Sequence, residues 1–371
     1  MTVYLDHNAT SPARPGVAEA MTAALGIGGN PSSVHGFGRR ARRAVEDARN
    51  EVARLINAEP ETIVFTGSGT EANALALKGV DCRRVIVSAI EHDSVLHNAD
   101  AELLPANGDG LVDLAALEAM LAVDTRRTLV SVMQANNETG VIQPAAKAAA
   151  IAHRFGALFH CDAVQSAGKI TVDVAALGCD LLSISAHKFG GPQGVGALYV
   201  APHVLLDAMI KGGGQERGRR AGTENVSGIT GFGFAAKLAR ENPVDDAKMA
   251  GLRDGLEQRI KRLAPEAIIF GAAAPRIANT SLIAMPGVSS EIQVMAFDLA
   301  GIAISAGAAC SSGKVEPSHV LLAMGADEKL AYSAVRVSLG WTNSEEDIDR
   351  FVETWSGLYA MRRVPAEAPA A

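Results

Sequence analysis

Apolar and polar positions follow two rhythms along this chain. From residue 37 to 56 the spacing is that of an amphipathic helix, with Val45, Ala48, Val52 and Leu55 on one face. Arg39, Arg40, Arg42 and Arg43 near its start read as a solvated face. Short apolar runs follow at 63–65, 85–88, 129–133, 158–161, 181–185 and 197–200, each of strand length. Ala-rich stretches with helical spacing lie between most of them, as at 114–121 and 145–155. This alternation predicts an α/β fold with a mostly parallel sheet covered by helices, its ligand sites at the carboxyl ends of strands.

Beyond about residue 245 the rhythm changes. Helices are expected at 248–263, at 291–300 and from Glu345, with strands near 267–270, 279–283, Ile304 and 334–338. The pattern predicts a large domain over 15–245 and a smaller α+β domain made of 1–14 and 246–371. The tail 364–371 reads as frayed.

Composition narrows the functional classes. The 371 residues are 48% hydrophobic and 20% charged, with a net charge of −7, which argues against non-specific nucleic-acid or anionic-membrane binding. Cys82, Cys161, Cys179 and Cys310 form no CxxC pair, so neither a disulfide framework nor a metal site is expected. The N-terminus lacks a secretory h-region, and the apolar run 292–313 is broken by Asp298, so no membrane span is expected and a cytoplasmic protein is.

Candidate chemistry sits after the apolar runs. Ser185, Ala186, His187 and Lys188 lead into Gly190 and Gly191, which alone would describe a surface lysine in a turn. Asp162, 26 residues before Lys188 at the end of another expected strand, changes that reading. Pyridoxal phosphate needs a lysine to carry it as a Schiff base and an acid to keep its pyridine nitrogen protonated. Gln165 follows within reach of a ring hydroxyl. Gly69 and Thr70 form a glycine turn into a helix N-terminus, a backbone anion site suited to a phosphate. His92 offers a flat imidazole for stacking and proton exchange, and Asn137 an amide for the cofactor.

The segments YLDHNATS, GNPSSVHGFGR, FTGSGTEANA, EHDSV, NNETGVIQP, HCDAVQSAGK, SAHKFGGPQGVGALYV, GGGQERGRRAGTEN, NTS, ISAGAACSSG and VRVSLG occur in that order from residue 4 to about 340. Together they resemble the class V aminotransferase group and, within it, the cysteine desulfurases of the nitrogen-fixation and iron–sulfur-cluster type. The resemblance implies a homodimeric pyridoxal-phosphate enzyme of fold type I. It would convert L-cysteine to L-alanine and leave a persulfide on Cys310 for an acceptor such as an iron–sulfur scaffold protein. It further implies Lys188 as the Schiff-base lysine, Asp162 under the ring nitrogen, Gln165 on the ring hydroxyl, and His92 stacked on the ring. Gly69, Thr70, Ser185 and His187 would hold the phosphate, with Ala186 in the same run, and Thr223 would reach the neighbouring subunit's phosphate. Arg336 would take the substrate carboxylate in a bidentate pair, with Asn137 and Asn8 as further substrate contacts. No resident metal is implied, and Cys310 would at most be a transient iron–sulfur ligand.

Two departures stand out: His7 replaces the Asn or Ala of some relatives, and the acceptor motif reads AACSS rather than SACTS. Residues 305–313 are all small, which predicts a mobile loop around Cys310. His92 is a candidate acceptor for the thiol proton. A small-amino-acid aminotransferase, a selenocysteine lyase and a non-enzymatic scaffold are the rival readings. A transaminase needs no nucleophilic thiol, and a scaffold needs neither Lys188 nor Cys310. The sulfur acceptor stays open among nitrogenase maturation, general iron–sulfur assembly and transfer-RNA thiolation.

Overall fold

The structure, a computed structural model, describes residues 2–124, 126–307 and 316–362. Seven strands form one sheet in the order Ile63–Thr66, Gly196–Val200, Leu181–Ser185, Leu158–Asp162, Thr128–Ser131, Arg84–Ser88 and Glu102–Leu104. Gly196–Val200 runs antiparallel to both neighbours, and every pair from Leu181–Ser185 to Glu102–Leu104 is parallel. Ile63–Thr66, Thr128–Ser131, Leu181–Ser185 and Gly196–Val200 are buried at every position. Strands covered on both faces read as continuous apolar runs, which is why six of the seven stand out in the sequence. Glu102–Leu104 does not, because it is a three-residue edge strand with two exposed positions.

The amphipathic helix Gly36–Leu55 packs on Val226–Glu241, which in turn packs on Val17–Leu25. Val45, Ala48 and Val52 are buried there as the spacing predicts. A second, antiparallel sheet runs in the order Ser305–Ala306, Ala334–Ser338, Thr280–Ala284 and Ile268–Phe270. Helices Asp246–Leu263, Ser290–Leu299 and Glu345–Arg362 accompany it.

The N-terminal strand Val3–Tyr4 runs parallel to Ile302–Ala303. Val3 and Leu5 are buried in one apolar cluster with Ile260, Phe351 and Trp355, whereas Val45, Phe159 and Leu182 belong to another. From these two cores we propose the division into 15–245 and 1–14 with 246–371. A third, smaller cluster joins Ile90 to Leu282 and Val320. Among the described residues no helix is long and apolar enough to cross a membrane.

Candidate active site

Five strand ends and turns of the large sheet converge on a cavity of about 220 Å³. Asp162 ends Leu158–Asp162, and Ser185 ends Leu181–Ser185, which continues into the short turn Ala186–Phe189 carrying Lys188. His92 follows Arg84–Ser88 and caps the short helix Asp93–Leu96. Gly69 and Thr70 open the helix Gly69–Lys78, whose cap Ser68 accepts from the Glu71 N–H at 3.1 Å. All of these line the cavity except Ala186, together with Gln165, Asn137 and His187. Ala186, the first residue of that turn, is buried.

Lys188 Nζ donates to the carbonyls of Asn8 (2.6 Å) and Ala9 (3.0 Å). Burial, followed by the positive charge of Arg336, brings its pKa down to about 8, against the opposing pull of Asp162 and Asp6. An amine so placed is partly free at neutral pH, as a nucleophile or base requires. Both Asp162 oxygens accept hydrogen bonds, from Val164 N–H (2.8 Å) and from Asn73 Nδ2 (2.7 Å).

The cavity has the donor set for a phosphorylated pyridine. At the first helical turn the Gly69 and Thr70 N–H groups have no intrahelical acceptor, and Ser185 Oγ is buried without a partner among the described residues. A Cβ at Gly69 would stand 2.9 Å from Val164 Cγ2 and 3.3 Å from Ser185 Cβ, so only glycine lets the helix start approach this closely. Asp162 supplies the carboxylate and Lys188 the amine within the same cavity.

Asn73 carries a link that the motif reading missed. Its Nδ2 donates to Asp162 and also to Ser94 Oγ at 2.8 Å. Ser94 then donates its hydroxyl to His92 Nδ1 at 2.8 Å, and its own backbone N–H reaches the same nitrogen at 3.0 Å. With Nδ1 accepting, neutral His92 carries its proton on Nε2. Burial, the largest influence, lowers the His92 pKa and favours that neutral ring. A second proton would have to sit on Nδ1, facing the Ser94 N–H. In this resting geometry neutral His92 is therefore a donor at Nε2. The signal for Asn73 was present: it is an amide on the buried face of a helix otherwise covered there by Gly69, Ala72 and Ala76.

Other expected residues are placed differently. Asn8 stands behind the cavity, donating from Nδ2 to Asn137 O (3.1 Å) and Thr280 Oγ1 (2.9 Å). Arg336 is buried beside it and does not line the cavity; its guanidinium bonds Asn137 O (3.0 Å) and Asp6 Oδ1 (2.8 Å). Thr223 lines a separate hollow with Gly67 and Arg220. Of the mobile loop expected at 305–313, Ser305 and Ala306 instead form a strand held by backbone pairing to Arg336 and Val335, while Cys310 and the residues from 308 to 315 lie outside the described residues.

Two buried carboxyls were not foreseen. Glu91 accepts from the Met133 N–H, and burial, then the charge of Asp162, raises its pKa well above the usual range. Glu138 accepts from Ser318 Oγ at 2.5 Å, and burial raises its pKa to about 7. Among the described residues no cluster of three or more His, Cys, Asp or Glu side chains is arranged to hold a metal.

A model of the aminotransferase class-V family matches residues 3–351. The chain belongs to that family. Within it the similarity is to cysteine desulfurases. This class V chain is 45% identical to the cysteine desulfurase of Cereibacter sphaeroides, over 95% of its own length and 94% of the relative's. It is 41% identical to the cysteine desulfurase IscS of Dictyoglomus turgidum, over 94% and 92%. The solved NifS-like protein from Rickettsia africae superposes with a TM-score of 0.91 at 37% identity, covering 97% of this chain and all of that one. A structure described as SspA in complex with cysteine gives a TM-score of 0.78 at 31% identity, over 91% and 99%.

Proposed function

We propose that this cavity binds pyridoxal phosphate on Lys188 and that the chain moves sulfur from L-cysteine to Cys310, leaving L-alanine. The observation that carries the reading is the meeting of a lysine of lowered pKa, an aspartate and a helix N-terminus in one cavity. The desulfurase family supports the substrate class. Gly69, Thr70, Ser185 and His187 would hold the phosphate, Asp162 the ring nitrogen, Gln165 the ring oxygen, and His92 the ring face. When bound, the coenzyme supplies an electron sink for the bond broken at the substrate Cα.

Lys188, as the free amine, takes the Cα proton. His92 donates from Nε2 toward the cavity. The Cys310 thiolate then attacks the substrate sulfur: an S–S bond forms, the Cβ–S bond breaks, a proton is taken up at Cβ, and the proton held by Lys188 returns to Cα to complete alanine. We assign Arg336 to the substrate carboxylate. That role requires the guanidinium to exchange Asp6 for substrate, since the Asp6 pair now occupies it at 2.8 Å. Thr223 is assigned to the phosphate of a second subunit, because it stands apart from its own chain's cavity. The chain would act as a cytoplasmic homodimer that passes sulfur to an acceptor such as an iron–sulfur scaffold protein.

The decisive experiment supplies L-cysteine without reductant and maps the product by mass spectrometry. One added sulfur on Cys310, with alanine released in equal amount, is the expected result. Sulfur on any other cysteine, or none, refutes the assignment.

A further inference from the structure

Lys169 has no part in the chemistry above, yet it stands at the back of the site. The turn that places it depends on Gly168, whose φ of +75° is left-handed and whose Cβ would come within 2.6 Å of Phe189 Cβ. Lys169 Nζ donates at 2.8 Å to Asn8 Oδ1 and at 2.8 Å to Gln165 Oε1. The charges facing it are those of Lys188 and Arg336, with His7 also within electrostatic reach. Burial, then those two positive charges, pushes its pKa well below the ordinary lysine value.

An amine donates to both amide oxygens whether it carries two hydrogens or three. With both oxygens taken, both amide nitrogens must turn the other way. Gln165 Nε2 accordingly donates one hydrogen to Asn8 O at 2.9 Å, and its second has no partner among the described residues. Gln165 lines the cavity, so it presents an N–H there and not a carbonyl.

We propose that Lys169 is a positioning residue that fixes the Gln165 amide as a hydrogen-bond donor toward the bound coenzyme's ring oxygen, selecting the ionised form of that oxygen. The inference rests on the pyridoxal-phosphate reading and deepens it. A reversed amide would offer the ring oxygen an acceptor and favour its protonated form.

The test is the pH titration of the visible absorption of the resting holoenzyme, with no substrate present. In Lys169→Met the midpoint is expected to rise by about one pH unit, the scale of one hydrogen bond to a charged group. Lys169→Gln, neutral but still a donor, is expected to titrate within a few tenths of a unit of wild type. In a Gln165→Leu background the Lys169→Met shift is expected to vanish. An unmoved midpoint in Lys169→Met, or an equal shift in the Gln165→Leu background, overturns the assignment. Should Lys169→Met fail to fold, Lys169→Gln decides alone, and a midpoint displaced by a full unit overturns the proposal. A wild-type protein that binds no coenzyme would instead remove the underlying functional reading.

Discussion

The two sides of the cavity are built by different rules. On the sheet side, Gly69, His92, Asp162, Ser185 and Lys188 each lie at or within a few residues of a strand end, so the sheet places their backbones. On the opposite side a single residue, Asn8, is held by Asn137, Lys169, Asn279 and Thr280, and its carbonyl takes hydrogen bonds from Gln165 and Lys188. Those partners lie between 129 and 272 residues away in the chain. The sheet side supplies reactive groups, and the Asn8 side holds the Lys188 amine and the Gln165 amide.

The largest expected effect comes from removing the central group of the sheet side. Lys188→Ala is expected to lose the visible chromophore and to lower desulfurase turnover by about 10³-fold or more, with the far-ultraviolet circular dichroism unchanged. Retained chromophore in that variant would mean another amine anchors the coenzyme, and the division of labour between the two sides would fall with it.

Glu138, next in sequence to Asn137, offers a test through pH. Its folded-state pKa of about 7 lies above the ordinary 4.5, so the folded protein holds this proton more tightly than the unfolded chain. The stability it contributes is fully present below pH 4.5 and is lost as pH rises through 7. Over that window the loss is roughly 3 kcal/mol, from about 1.4 kcal/mol per pH unit. Glu138→Gln keeps an acceptor for Ser318 and removes the titration. Thermal melts of the two proteins should agree more closely at pH 5 than at pH 8, where the variant is the more stable. Parallel melting profiles across that range would contradict the assignment.

Asn8→Ala cuts the hub without touching its carbonyl. Lys169 and Asn279 each lose an acceptor, and Thr280 Oγ1 and Asn137 O each lose a donor. Unsatisfied buried groups of this kind make the expected cost about 2 kcal/mol in chemical denaturation. A neutral result would show that water replaces the amide and that the hub orients nothing.

The same contrast explains what the sequence disclosed. Strands 158–161 and 181–185 were legible because they are buried on both faces, and the polar residue ending each run marked Asp162 and Ser185. The edge strand Glu102–Leu104 lacked that pattern. Asn8 and Arg336 were visible through their motifs, but nothing local indicates that Arg336 pairs with Asp6, 330 residues away. Lys169 lay in plain view in QSAGK, four residues after Gln165, yet its meaning depends on the return of the N-terminal segment to the site. Hydrogen-bond polarity is a property of the closed network, and one element's pattern does not contain it.

The smallest effect sharpens the comparison most, because the sheet side has an orienting chain of its own. Asn73 binds Asp162 and Ser94 together, and Ser94 reaches His92 by both its hydroxyl and its backbone N–H. Ser94→Ala removes only the hydroxyl. It leaves one Asn73 hydrogen without its acceptor, at an expected cost of about 1 kcal/mol, while the backbone N–H still occupies Nδ1. Nitrogen-15 histidine spectra should therefore show His92 protonated on Nε2 in both proteins, with the signal identified by its absence in His92→Gln. If the proton moves to Nδ1 in Ser94→Ala, the hydroxyl fixes the tautomer. In that case the sheet side depends on side-chain relays as much as the Asn8 side does.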